Sequence, residues 1–281
     1  MNFSRVKTIF IILFACVNIV LLAVFFGQIN SERKITRDAI EKTVSILENN
    51  HITVDKNLLD IAVRHASIVE VENVFAETEK LAGGVLGTGC SFDEGEGVYK
   101  SQDGLRSARI EQNAMDYRAS AQPFAQRGEN KEIALIHGRD WFLNLGVRTM
   151  QLEEKSFENG IFTVQAVQNI GGLDLFDSGM EMQIASDGVT SAQGFFAIVR
   201  RSGGAGRTDL ELRHITSVLV DLINHIQTGQ ETMLTITEIR LGYSLGGDLS
   251  RKMISAVPCY RVVMDNGTML HFDAVSGEFL Y

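Results

Sequence analysis

The sequence predicts an α+β protein: an N-terminal transmembrane helix, then helices packed on antiparallel sheets in two lobes. Three observations carry this prediction. A charge-free apolar run occurs once, from Thr8 to Phe26. Stretches with a 3.6-residue apolar period alternate with short runs rich in β-branched and aromatic residues. A helix followed by several strands recurs, after residue 131 and again after residue 209, which is how helices come to lie on one face of an antiparallel sheet. The implied division is a cytoplasmic head at 1–7, a membrane helix at 8–26, an N-terminal extracytoplasmic lobe at 27–128 and a C-terminal extracytoplasmic lobe at 129–281.

The apolar run reads TIFIILFACVNIVLLAVFF. At ~1.5 Å per residue it spans just under the ~30 Å hydrocarbon core of a bilayer. Arg5 and Lys7 give it the basic head of a secretory signal, but Val24 to Gln28 offers no small-residue cleavage pair, so it reads as an uncleaved signal anchor. Leu13-Phe14-Ala15-Cys16 is a faint lipoprotein box; cutting there would leave a strongly apolar new N-terminus. Arg33, Lys34 and Arg37 balance Arg5 and Lys7, so basic residues do not set the orientation. The signal-like layout places the bulk of the chain outside. Asn18 is the strongly polar side chain in mid-run. An amide in lipid gains about 1 kcal/mol by bonding a neighbouring helix; the alternative is that it is tolerated alone. Asn18, Phe10 and Phe14 are the candidate partner-binding residues.

The chain has 281 residues, a net charge of −9, 45% hydrophobic and 22% charged residues. About 250 residues outside the run suffice for one large domain or two small ones. The acidic balance argues against nucleic acid, which demands a basic stripe. Cys16 lies in the run, leaving Cys90 and Cys259, either a single bridge or two free thiols. Two prolines, Pro123 and Pro258, exclude a Pro-rich stalk.

Along the chain, Asn30 to Asn50 reads as a helix, with Ile35, Ala39, Ile40, Val44 and Leu47 on one face. Leu58 to Ile61 follows, then Ser67 to Phe75, which is strand-like. Leu81 to Gly89 is glycine-rich and ambiguous, and Gly95 to Asp103 is turn-rich with short strands at either end. Gly128-Glu129-Asn130 reads as a boundary, followed by a helix from Lys131 to Leu145 that Gly146 caps. Phe162 to Val167, Met180 to Ile184 and Phe195 to Arg200 read as strands, with a turn at Asp187-Gly188. A helix is expected from Asp209 to Gln227, with a capping box at Thr208 and Glu211 and a stop at Gly229. Strands resume at Leu234 to Tyr243, then Tyr260 to Met264 and Met269 to Phe272 as a hairpin about Asn266-Gly267. Ser276-Gly277 turns the chain once more.

No constellation for catalysis stands out. The sequence has no G-x-S-x-G, H-E-x-x-H, C-x-x-C or P-loop pattern. The six histidines are scattered; His214 and His225 share the predicted helix but stand some 16 Å apart, too far to hold one metal. The glycine-rich Arg201 to Arg207 lacks the P-loop lysine and reads as a connection between units. Asp93-Glu94-Gly95-Glu96 reads as a solvated acidic turn, without the EF-hand ligand pattern. Phe195, Phe196 and Trp141 read as core. No cofactor, no metal and no catalytic residue is expected.

Several stretches resemble the YycI family. Lys7 to Ile12 with Asn18 is similar to its opening. Ile236-Thr237-Glu238-Ile239-Arg240-Leu241-Gly242-Tyr243 resembles its "EI-LGY" strand. Ala256 to Val262, Asn266-Gly267, Phe272-Asp273-Ala274 and Ser276-Gly277-Glu278 resemble its closing hairpin, which also suits PepSY-type modules, as do the helix-plus-strands units. Gln168, Gly171-Gly172 and Phe176 form a pattern of the same sort. Asn2-Phe3 stand where the family often has an acidic residue and Trp, Tyr260 stands where Trp is frequent, and Val69 to Asp103 has no counterpart. The resemblance implies a non-enzymatic extracytoplasmic accessory protein of Gram-positive bacteria. It would act with a YycH-like companion on a WalK-type sensor histidine kinase that controls cell-wall metabolism, through membrane helices and paired outer domains. The alternative is a PepSY-type module that binds an extracellular ligand or peptidase and uses the membrane only as an anchor.

Overall fold

The computed structural model describes residues 14, 17–18, 37–111, 113–120, 122–128, 130–199, 209–226, 233–247 and 249–281. The run from Thr8 to Phe26 lies outside these residues apart from Phe14, Val17 and Asn18, which are helical. No helix among the described residues is long and apolar enough to cross a membrane. The glycine-rich stretch at 201–207 and the helix stop at Gly229 also lie outside them.

The α-helices beyond Asn18 among the described residues are α1 over 37–49, α2 (Thr78–Leu86), α3 (Asn130–Asn144) and α4 (Ile215–Leu222), with short 3-10 turns at Lys56–Leu59 and Val74–Ala76. The strands are β1 (Ile52–Val54), β2 (His65–Ser67), β3 (Val69–Glu72), β4 (Ser91–Asp93), β5 (Val98–Lys100), β6 (Arg106–Glu111), β7 (Ala114–Ala119) and β8 (Met150–Glu158). They continue as β9 (Ile161–Ile170), β10 (Leu173–Ala185), β11 (Gly188–Phe195), β12 (Ile198–Val199), β13 (Asp209–Glu211), β14 (Leu234–Gly246), β15 (Met253–Met264) and β16 (Met269–Asp273). The mixture is α+β with sheet dominant.

The chain forms two compact units, one of residues 1–61, 214–238 and 263–268, the other of residues 62–213, 239–262 and 269–281. The boundary expected at residue 128 falls inside the second unit, because strands on either side of it pair: Met115 to Arg118 of β7 lie against Ser191 to Gly194 of β11.

In the first unit, α1 buries Thr43, Val44 and Leu47. β1 runs parallel to the start of β14, with Ile52 opposite Leu234 and Val54 opposite Ile236. α4 buries Ile215, Val218, Leu219 and Leu222, the positions that its 3.6-residue period assigns inward. It starts six residues later than the sequence implies. His214, not Thr208, is the N-cap and accepts from the Thr216 N–H. The expected first turn, Asp209–Glu211, instead pairs with β2, where the Ser67 hydroxyl donates to Asp209 at 2.7 Å.

In the second unit, β8 to β11 form an antiparallel meander that continues through β7, β6, β5 and β4. β8 and β9 meet at Asn159-Gly160, where φ is 52° and 77°. β9 and β10 meet at Gly171-Gly172, where φ is 63° and 95°. Two consecutive left-handed residues match the twist of the flanking strands, which is why Asn-Gly and Gly-Gly serve there. On its other side β10 pairs with β14, whose further neighbours in order are β15, β3 and β12. That β10–β14 pairing is parallel, with Asp174 opposite Gly242; the sheet is thus mixed rather than wholly antiparallel.

α3 lies over β8 to β11 with Ala134, Gly138 and Phe142 buried. Gly138 sets the distance: a Cβ there would come within 3.0 Å of both Ile184 Cδ1 and Leu152 Cδ1. Past its end, Gly146 is left-handed at φ 79°, its N–H donates to Leu143 O, and the Val147 N–H donates to Phe142 O, closing the helix as expected. α2 occupies the stretch that was ambiguous and buries Leu81, Ala82, Val85 and Leu86. Phe195 and Phe196 are core: the Phe196 ring meets Phe75 at 5.3 Å and Phe142 at 5.9 Å, with Trp141 alongside. Cys90 and Cys259 are free thiols.

Candidate functional site

β10 changes neighbour in mid-strand. Asp174 and Leu175 pair with β14, and from Gly179 onward it pairs with β11; its register against β9 shifts between Asp174 and Gly179. Phe176, Asp177 and Ser178 stand at this junction, where ladder bonds give way to bonds made by side chains.

Gln168 repairs one side of it. This buried amide donates through Nε2 to Ala197 O at 2.6 Å and to Thr149 Oγ1 at 2.8 Å. Its Oε1 accepts from the Ala197 N–H at 3.1 Å and the Ser178 hydroxyl at 2.7 Å. The side chain thus bonds Ala197 as a neighbouring strand would, and both polar atoms of the Gln168 amide are served.

Asp177 repairs the other side. Its Oδ2 accepts from the Leu245 N–H at 2.6 Å and the Ser244 hydroxyl at 2.9 Å, and its Oδ1 from the Tyr281 hydroxyl at 2.5 Å. Phe176 packs directly on Gly242 and holds the Arg261 guanidinium 4.4 Å from its ring centre, a cation–π contact. His271 completes the cluster. It is 8% exposed, 5.6 Å from the Phe176 ring and stacked on Tyr281 at 4.5 Å and 27°. Neither of its ring nitrogens has a hydrogen-bond partner.

The electrostatics favour neutral groups. Burial holds His271 below the usual imidazole range, against the Asp177 charge and with that of Arg261. Burial and then the Asp177 carboxylate raise the Tyr281 phenol. Burial pushes the Cys259 thiol and the Tyr260 phenol each up to about 12. At neutral pH these groups supply neither a thiolate nor a phenolate; Cys259, Tyr260 and His271 are buried and serve in packing. Tyr260 donates to Arg213 O at 2.9 Å, and the Arg213 N–H donates to Ala274 O at 2.8 Å, tying the closing hairpin together.

Of the sequence-predicted partner-binding residues, Phe10 lies outside the described residues. Phe14 is 72% exposed, and the Asn18 side-chain amide donates to the Phe14 carbonyl one turn earlier at 2.8 Å. The acidic turn is internally engaged: Asp93 accepts from the N–H groups of Gly95 and Glu96 and pairs with Lys100 at 2.9 Å. Among the described residues no His, Cys, Asp and Glu side chains group as metal ligands. An open polar groove of about 640 Å³ lies on the outer face of β7, β10 and β11, lined by Asp116, Arg118, Glu181, Gln183, Ser191 and Gln193. Sequence reasoning reached Gln168, Phe176, Gly242, Tyr260 and Arg261 only as parts of motifs. It missed Asp177, Ser244 and Tyr281, whose proximity arises from strands far apart in the chain.

No protein-family model matches the sequence, and no curated protein matches it. Several solved structures are similar, among them these three. An uncharacterized protein from Eubacterium rectale aligns over 82% of this chain and 90% of its own, at 10% identity and a TM-score of 0.49. YycH from Bacillus subtilis aligns over 72% of this chain and 52% of its own, at 15% identity and a TM-score of 0.40. The YpeB C-terminal domain of Bacillus megaterium aligns over 75% of this chain and 99% of its own, at 10% identity and a TM-score of 0.32.

Proposed function

We propose that this chain is a membrane-anchored, non-enzymatic accessory regulator of a WalK-type sensor histidine kinase, acting outside the cytoplasm together with a YycH-like companion. The reading rests on the charge-free run at 8–26 and on the resemblance to YycI proteins. The observation that carries it is convergence: the Gln168–Phe176, Ile236–Tyr243 and Ala256–Val262 stretches that bear the resemblance supply Phe176, Gly242 and Arg261 around a single strand junction. In this reading the junction gives the outer unit a fixed shape for protein contact, and the membrane run packs beside kinase helices and biases one of two signalling arrangements. A coupling of about 1–3 kcal/mol would change output roughly 5–150-fold.

Exchanging residues 1–30 for an unrelated membrane anchor tests the mechanism. Kinase output should become insensitive to the exchanged protein. Regulation that survives the exchange supports the PepSY-type alternative, in which the membrane serves only for attachment. Asn18→Leu should reduce co-purification with the kinase; undiminished association removes Asn18 from the interface. Crosslinking in intact membranes identifies the partner directly.

A further inference from the structure

We propose that the segment Phe279–Tyr281 is an acid-released latch, held closed over neutral His271 and freed when that ring takes up a proton. This goes beyond the regulatory reading and does not depend on it.

The segment lies along β16. The Leu280 N–H donates to His271 O at 2.8 Å, the His271 N–H to Tyr281 O at 2.9 Å, and the Asp273 N–H to Glu278 O at 2.8 Å. Phe279 meets Phe272 at 5.6 Å between ring centres. Its tip is fixed by the Tyr281 hydroxyl on Asp177 and by the Tyr281 ring on His271. The segment is otherwise superficial: Phe279 is 37%, Leu280 38% and Tyr281 49% exposed. Few backbone bonds and partial exposure place such a segment at the low end of local stability.

Its floor is unusual. His271 is more than nine-tenths buried, and both nitrogens are sealed from solvent with no partner. A neutral ring already leaves one N–H and one lone pair unserved there. A protonated ring would bring a full charge and a second unserved N–H into the same space. The groups around it do not compensate. From β10, the Asp177 carboxylate attracts the charge but is committed to Leu245, Ser244 and Tyr281. From β15, Arg261 repels it, and Cys259 is neutral in this pH range. On its own strand, Asp273 is committed to the Val275 and Ser276 N–H groups. On the latch Tyr281 is neutral, and Glu278 just before it is exposed. Opening the latch gives the ring to water, where it ionises at the ordinary value of ~6.5.

The sign follows. Above ~6.5 the ring is neutral in both states and the latch is fully held. As pH falls below that value the open state binds a proton that the closed state resists, so opening grows about tenfold per pH unit until the closed-state value is reached.

Hydrogen–deuterium exchange of the 270–281 region, read by mass spectrometry on the full chain at pH 7.5 and 5.5 and corrected for intrinsic rates, tests this. Protection should fall between the two pH values, by at most about tenfold. In His271→Phe, which keeps the stack without a titrating nitrogen, protection at pH 7.5 should persist and the pH effect should vanish. Equal protection at both pH values in the unmodified protein, or an unchanged pH effect in His271→Phe, overturns the proposal. Should His271→Phe fail to fold, the ring titration of His271 in ¹³C-histidine-labelled protein decides: a midpoint at or above ~6.5 overturns it, and a lower one supports it.

Discussion

Gly242 and Phe176 share a space that admits no further atom: a Cβ at position 242 would lie 2.5 Å from the Phe176 ring and 2.5 Å from the Asp174 carbonyl oxygen. The ring can swing away, but the carbonyl belongs to the parallel ladder and cannot. Gly242→Ala should therefore destabilise the protein by about 2–3 kcal/mol. Gly83 of α2 is the contrast, because a Cβ there meets nothing within 4 Å. Gly83→Ala should stabilise by about 0.5–1 kcal/mol. Urea unfolding of the two variants side by side gives the opposite shifts in midpoint; equal shifts would show that the close approach is relaxed in solution.

Gln168 carries a different kind of cost. Gln168→Leu keeps the volume roughly constant but strands the Ala197 N–H and C=O and removes the Thr149 hydroxyl's partner, while the Ser178 hydroxyl keeps the Phe195 carbonyl. Two buried backbone groups left unserved cost about 1–3 kcal/mol each. A loss of at least ~3 kcal/mol in thermal or urea unfolding is expected, and a loss below ~1 kcal/mol would mean that water enters the junction.

Asp177 and Tyr281 should differ although they share a bond. Tyr281→Phe removes one donor from a half-exposed position and should cost about 1 kcal/mol. Asp177→Ala also strands the Leu245 N–H and takes an acceptor from the Ser244 hydroxyl, which keeps Tyr281, and should cost about 2–4 kcal/mol. A double-mutant cycle reads their coupling; additive losses would deny the bond.

The Glu154 carboxylate provides a pH dependence. Its side chain is 4% exposed and pairs with Lys131 at 3.0 Å and with Arg127. Lys131 foremost, then Arg127, hold its pKa below the usual 4.5. A depressed carboxylate contributes stability that is complete above its unfolded value and lost as pH falls through its folded one. The stability advantage of the unmodified protein over Glu154→Gln should therefore be constant from pH 7 to about 5 and shrink below that. Thermal midpoints across pH 3–7 measure it; a gap independent of pH would assign the pair no electrostatic role.

Local signals were legible where a single element decides them. Gly146 marks the end of α3, and the alternation of Met180, Met182 and Ile184 marks β10. Asn159-Gly160 is a hairpin signal of the same kind as Asn266-Gly267, but β8 before it carries Glu153, Glu154, Lys155 and Glu158, so no apolar run flags it. β6 and β7 escaped notice because their inward residues are Ala108, Met115 and Tyr117 and their outward ones are charged, so neither looks β-rich. The start of α4 was misplaced because β2 claims Asp209–Glu211, and no local rule reports a distant partner. The site was half visible for the same reason. Phe176 and Gly242 appear in motifs, whereas the Asp177–Tyr281 bond spans 104 positions and leaves no local trace.

The parallel and antiparallel ladders also set a timetable. Ile52 faces Leu234, and Val71 faces Val199 on one side and Ile254 on the other, so the earliest described strands have their partners about 130–180 residues later. At ~5–20 residues per second, synthesis leaves them bare for roughly 10–40 s. Throughout that interval the nascent beginning of the protein must be shielded from pairing with the wrong chain. A protein interrupted before residue 234 would have lost the means to fold its own start.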